Sequence, residues 1–124
     1  MSESQHQAAL FDWASRTQKT RPELAYLYAI PNGGLRSKAT AARLKAEGTK
    51  AGVSDVHLPV PKAGFHGLWI ELKNDKPKGR ISPAQLEWLE GMRSQGHIAE
   101  VAYGWTEAKD MIEMYLAGWP CELG

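Results

Sequence analysis

Several things are scarce in this chain of 124 residues, and each scarcity excludes a class of protein. There is one cysteine, Cys121. A single thiol cannot close an internal disulfide or build a cysteine-based zinc site, and it fits a reducing, cytoplasmic setting. No apolar run approaches the length that spans a bilayer. The opening "MSESQHQAALFDW" lacks the basic-then-apolar order of a secretory leader. Net charge is also small, +1 overall. Repeats, low-complexity tracts and interdomain linkers are missing as well. The length suits one domain over residues 1–124, with a single core.

Charge is nevertheless unevenly spread. Basic residues dominate from Arg16 to Lys50, opposed only by Glu23 and Glu47, and again in the loop "NDKPKGR". From Ser82 onward acidic residues outnumber Arg93 and Lys109. A two-sided molecule of this kind can present its basic side to a polyanion such as nucleic acid.

The local pattern predicts the order α-β-α-β-β-α-β-α. "SESQHQAALFDWASR" reads as a helix, with Ser2 or Ser4 as cap and Ser4-x-x-Gln7 as a capping box. "AYLYAI" reads as a strand ended by "PNGG", and "SKATAARLKAE" as a helix from Ser37 to the stop at Gly48. Its basic residues split between faces: Arg36 lies with Arg43, and Lys38 with Lys45, so at most one pair can face a flat ligand. "GVSDVHLPV" and "FHGLWIELK" are strands whose short link predicts an antiparallel hairpin. "SPAQLEWLEGMRSQG" is a helix capped by Ser82, with Pro83 at its first position, Gln85 completing a capping box and Gly96 as stop. "HIAEVAYG" is the last strand, and "TEAKDMIEMYLAG" a closing helix capped by Thr106. The expected fold is α/β: a small mixed central sheet flanked by helices.

Chemistry concentrates in "GLWIELKND". Alternation puts Leu68, Ile70 and Leu72 on one face and Trp69, Glu71 and Lys73 on the other. Asp55 lies on the strand that pairs with this one. In matching register, Asp55 and Glu71 project together about 5 Å apart. Two carboxylates so placed repel, and a hard divalent cation removes the conflict. Oxygen ligands of this kind suit Mg²⁺, with Mn²⁺ as substitute, and not zinc. Lys73, next on that face, is placed to stabilise charge on a phosphate oxygen. His57 shares the face, but a packed histidine is the expected reading. The tryptophans read as packing residues.

An Asp followed across a hairpin by Glu-x-Lys, on this element order, resembles the PD-(D/E)XK nuclease superfamily. More narrowly, "IPNGGLRSKATAARLKAEGTKAGVSDVHLPVP" with "GLWIELK" and "ISPAQLEWLE" resembles the VRR-NUC family, the virus-type replication-repair nucleases. Gly52-Val53-Ser54-Asp55 carries serine where the family frequently has proline. The resemblance implies a restriction-endonuclease-like core. It implies Asp55, Glu71, the carbonyl of Leu72 and Glu3 as metal ligands, and Lys73 as the catalytic lysine. Gln85, Gln7 and Asn32 are expected to support the site. Arg36, Lys38, Arg43, Lys45 and Lys50 are expected to contact DNA phosphates. The implied protein is an Mg²⁺-dependent endonuclease acting as a homodimer on branched DNA such as four-way junctions. It would act in a bacterial or phage-infected cytoplasm; larger members carry the domain within repair enzymes. Two rival readings stand beside it. One is a nucleic-acid-binding module that uses the same basic face and cuts nothing. The other, a site-specific restriction enzyme, needs more surface for base readout than this chain offers.

Overall fold

The computed structural model describes residues 1–31 and 37–118. Asn32 and Arg36 therefore lie outside the described residues, as do Gly33, Gly34 and Cys121. The elements are α1 (Glu3–Thr17), a 3-10 turn (Pro22–Tyr26), β1 (Tyr28–Ala29), α2 (Lys38–Ala46), β2 (Val56–Leu58), β3 (Leu68–Lys73), α3 (Pro83–Ser94), β4 (Ile98–Tyr103) and α4 (Trp105–Leu116). The sheet order is β1-β2-β3-β4; the first two pairings are antiparallel and β3–β4 is parallel. This is the expected mixed α/β sheet, in the expected element order. None of the described helices is long and apolar enough to cross a membrane.

Strand β3 is buried along its whole length and divides two apolar layers. Leu68, Ile70 and Leu72 join the main core beneath α1 and α4, with Leu10, Trp13, Ile112 and Tyr115. Trp69 points to the other layer, where Leu89 of α3 and Ala99 of β4 cover it. Each fully buried Leu or Ile stabilises the fold by about 1.5–3 kcal/mol. The strand is therefore fixed in register, since a one-residue slip would exchange its two faces.

Several local expectations need correction. Helix α1 is capped by Ser2, one of the two expected caps, but its capping box pairs Ser2 with Gln5, two residues before the expected Ser4–Gln7 box. The predicted strand at "AYLYAI" shortens to two residues, because Pro22 opens a 3-10 turn that runs through Tyr26. Strand β2 spans three residues rather than the whole of "GVSDVHLPV". Beyond it, Lys62 and Phe65 bridge across Ala63 and Gly64, both at positive φ, so the hairpin turns through a small secondary loop. Thr106 does not cap α4. The helix starts at Trp105, whose N–H donates to Nδ1 of His6, 99 residues earlier. The caps at Ser37 and at Ser82 with Gln85 are as read from the sequence.

Candidate active site

Asp55 sits immediately before β2. Its carbonyl accepts the N–H of Ile30 at 2.8 Å, which ties its backbone to the β1 side. Val56 pairs with Ile70, so one residue further out Asp55 comes opposite Glu71. Residues opposite one another in an antiparallel pair project from the same face. The Asp55 side chain also takes over where the strand pairing ends: Oδ2 accepts the N–H of Leu72 at 2.9 Å. In a strand, N–H and C=O of one residue leave the same edge, so the Leu72 carbonyl faces that edge too.

Glu71 is 1% exposed. Its Oε2 accepts from Nε2 of Gln85 at 3.3 Å, while Oε1 is buried with no hydrogen-bond partner among the described residues. Burial, followed by hydrogen bonding to and repulsion from the Asp55 carboxyl, pushes the Glu71 carboxyl up to about 9; the Lys73 charge opposes this and Glu3 adds to it. The pair therefore retains a proton at neutral pH unless another positive charge arrives. Lys73 is 8% exposed, at the end of the same strand face. Its aliphatic stem is backed by Gly79, where a Cβ would lie 3.2 Å from Lys73 Cβ.

Gln85 makes two contacts at once. Its Oε1 accepts the N–H of Ser82 at 2.9 Å, closing the capping box, while its amide nitrogen holds Glu71. Gly52 brings the Asp55 loop against the same helix. It lies at φ +86, and a Cβ there would be 2.3 Å from the carbonyl oxygen of Ala84. The glycine of Gly-Val-Ser-Asp is thus required twice, by conformation and by space. Ser54 is fully buried and its hydroxyl has no partner among the described residues.

A cleft of about 780 Å³ opens over these groups. Glu3, Asp55, Glu71 and Gln85 line it, facing Ala41, Leu44 and Lys45 of α2, and Lys50. Of the basic residues expected at DNA, the structure brings Lys45 and Lys50 to the cleft. Arg43 instead pairs with Glu47 at 3.4 Å, and Lys38 is exposed outside the lining. Gln7 is half-buried and does not line the cleft. His57 packs as expected: its ring stacks on Trp69 with centroids 3.7 Å apart, and Nδ1 meets the Tyr28 hydroxyl at 2.7 Å. Burial, with the neighbouring His97, lowers its pKa to about 4.

His6 was not legible as part of this arrangement. It is 3% exposed, one turn after Glu3 on α1. Nδ1 accepts the Trp105 N–H, so Nε2 carries the proton and donates to Asp75 at 3.0 Å. This single ring ties the first helix to the segment just after Lys73 and to the start of α4. Its only sequence signal is its position one turn beyond Glu3.

Among the described residues, no group of three His, Cys, Asp or Glu side chains is gathered to hold a metal. The available donors are the Asp55 and Glu71 carboxylates and the Leu72 carbonyl; Glu3 lines the same cleft but is not gathered with the pair into a three-acid group. That set, with the unpartnered Glu71 oxygen, fits a hard cation completing its shell with water and substrate oxygens.

The VRR-NUC domain model matches residues 1–105. A solved structure described as a "VRR_NUC domain protein" is 30% identical, covers 94% of this chain and 89% of its own, and superposes with a TM-score of 0.82. No curated protein matches. Matched over most of its length by the family model and by this structure, the chain belongs to the VRR-NUC domain family.

Proposed function

We propose that the chain is a metal-dependent DNA endonuclease that hydrolyses phosphodiester bonds in branched DNA. The family gives a nuclease-type function acting on DNA. The metal dependence rests on one observation: Asp55 and Glu71 share a buried site where Glu71 is forced toward its protonated form and one of its oxygens has no partner. Mg²⁺ or Mn²⁺ held by Asp55, Glu71 and the Leu72 carbonyl, with Glu3 nearby, would supply Lewis-acid activation of water and neutralise phosphate charge.

The chain's own groups do the rest. The Leu72 N–H fixes the Asp55 carboxylate, and Gln85 fixes that of Glu71. Lys73, anchored on the buried strand, places an ammonium beside the acidic pair to stabilise negative charge developing on the phosphate. Lys45 and Lys50 on the opposite wall neutralise flanking phosphates, which positions the strand without reading its sequence. In the reaction, a water oxygen bonds to phosphorus, one ester P–O bond breaks, and the leaving oxygen takes up a proton. The preference for four-way junctions and a homodimer carrying one cleft to each strand are part of this proposal, as the family resemblance implies them.

Titration of Mg²⁺ or Mn²⁺ into protein mixed with labelled four-way junction, flap, duplex and single-stranded DNA tests this. Cleavage should appear only with the ion and vanish with a chelator. Asp55→Ala, Glu71→Ala and Lys73→Ala should bind DNA but lose at least about 100-fold in cleavage rate. Binding by the wild type without cleavage of any of these DNAs would leave the binding module as the answer.

A further inference from the structure

A second cavity of about 430 Å³ adjoins the carboxylate cleft, and Lys50 and Ala51 line both. Its far wall is α3, which contributes Trp88, Gly91 and Met92, with the exposed side chain of Glu87 beside them. Its size falls in the range of small-molecule sites, and its lining is mostly apolar with a few polar groups. Trp88 is held firmly: it meets the Trp69 ring at 5.2 Å and 81°, yet remains only half-buried.

Gly91 is the informative residue. It lies within α3, where glycine is destabilising relative to alanine. Beyond the adjoining backbone of its own helix, no atom of the described residues lies within 4 Å of where its Cβ would be, so packing does not demand a glycine. What the missing side chain preserves is the open space of the cavity.

We propose that this cavity is a subsite for an unpaired nucleobase on the DNA strand whose neighbouring phosphate occupies the carboxylate cleft. The proposal rests on the nuclease reading and sharpens its substrate class. The base lies against Trp88 and Met92, and the connecting phosphate passes Lys50, the cation common to both cavities. Glu87, exposed on the same wall, can accept from a base N–H. A base engaged in a duplex cannot enter, because its partner strand goes with it. Strands with unpaired nucleotides next to the cut are therefore preferred. Trp88, a packing residue toward the sheet, is on this account also a stacking platform on its open side.

The test compares two labelled forked duplexes by fluorescence anisotropy, using the full chain in EDTA so that binding is read without cleavage. The unpaired arms are all thymidine in one fork and all abasic in the other. Wild type should bind the thymidine fork about tenfold more tightly, the scale of one stacked base. Gly91→Leu, which fills the cavity without a clash at Cβ, should melt no lower than wild type. It should bind both forks at the abasic level and leave affinity for plain duplex unchanged. Equal affinity of wild type for the two forks would overturn the subsite. So would a Gly91→Leu variant that keeps the preference, or one that weakens all three DNAs alike. If wild type cuts neither fork nor the four-way junction, flap, duplex or single-stranded DNA with Mg²⁺ or Mn²⁺, but the preference and its loss in Gly91→Leu persist, the nuclease reading fails and the subsite stands.

Discussion

Glu71 concentrates the physics of the site in one side chain. It lies on a strand with no exposed residue, beside a second acid, and its pKa is raised for both reasons. The sign of the consequence is definite. A carboxyl with a folded-state pKa near 9 and an unfolded value near 4.5 favours folding fully below the lower value, and this contribution is lost as pH rises toward 9. A cation that needs the ionised form must displace the proton, so its affinity rises across the same window. Calorimetric titration of Mg²⁺ between pH 5.5 and 8.5, in buffers of different ionisation enthalpy, should show affinity increasing with pH and proton release on binding. Glu71→Gln should abolish the release. An affinity independent of pH in wild type would show that the acidic pair does not take the ion. The residue types of this site were legible from strand alternation and the position of Asp55. The hydrogen bond from Leu72 to Asp55 was not, because it depends on where the β2–β3 ladder stops.

Among the elements, those whose signals are local were read well. Ser82, Pro83 and Gln85 define the start of α3 within four positions, and the structure shows each bond of that cap. Elements whose ends are set by distant groups were misread. Thr106 looked like a cap for α4, but His6 supplies an acceptor at that helix start from the far end of the sequence. The Gly52–Ala84 approach belongs to this second class and holds the Asp55 loop to the Gln85 helix. Gly52→Ala should lower stability by about 1–3 kcal/mol from the positive φ alone. It should also reduce cleavage further by displacing Asp55. Gly48→Ala is the matched control: φ is +105 there, but nothing lies within 4 Å of the added carbon. Thermal melts and cleavage rates of the pair separate the two effects. Equal losses of activity in both would remove the contact with Ala84 from the argument.

At the scale of the whole molecule, the uneven charge of the sequence resolves into a narrower fact. The cleft receives Lys45 and Lys50, while Arg43 is engaged with Glu47 on the outside of α2. The sequence could show which residues share a helix face, but not which face meets the carboxylates. That depends on how α2, which buries none of its residues, stands over the sheet. Measured from 50 to 200 mM salt, Lys45→Ala and Lys50→Ala should each reduce the slope of log affinity against log salt by about one unit. Arg43→Ala should leave the slope unchanged; the reverse ranking would place the DNA on the other side of α2.

The His6 bridge has a consequence in time as well as in space. Its partners are 69 and 99 residues further along the chain, so this clamp on the first helix stays open until nearly the whole domain has left the ribosome. An unfinished polypeptide already carries both acids and the lysine, yet lacks the tie from the first helix to the start of α4. The tie between α1 and the start of α4 is thus among the last contacts of the domain to close during synthesis.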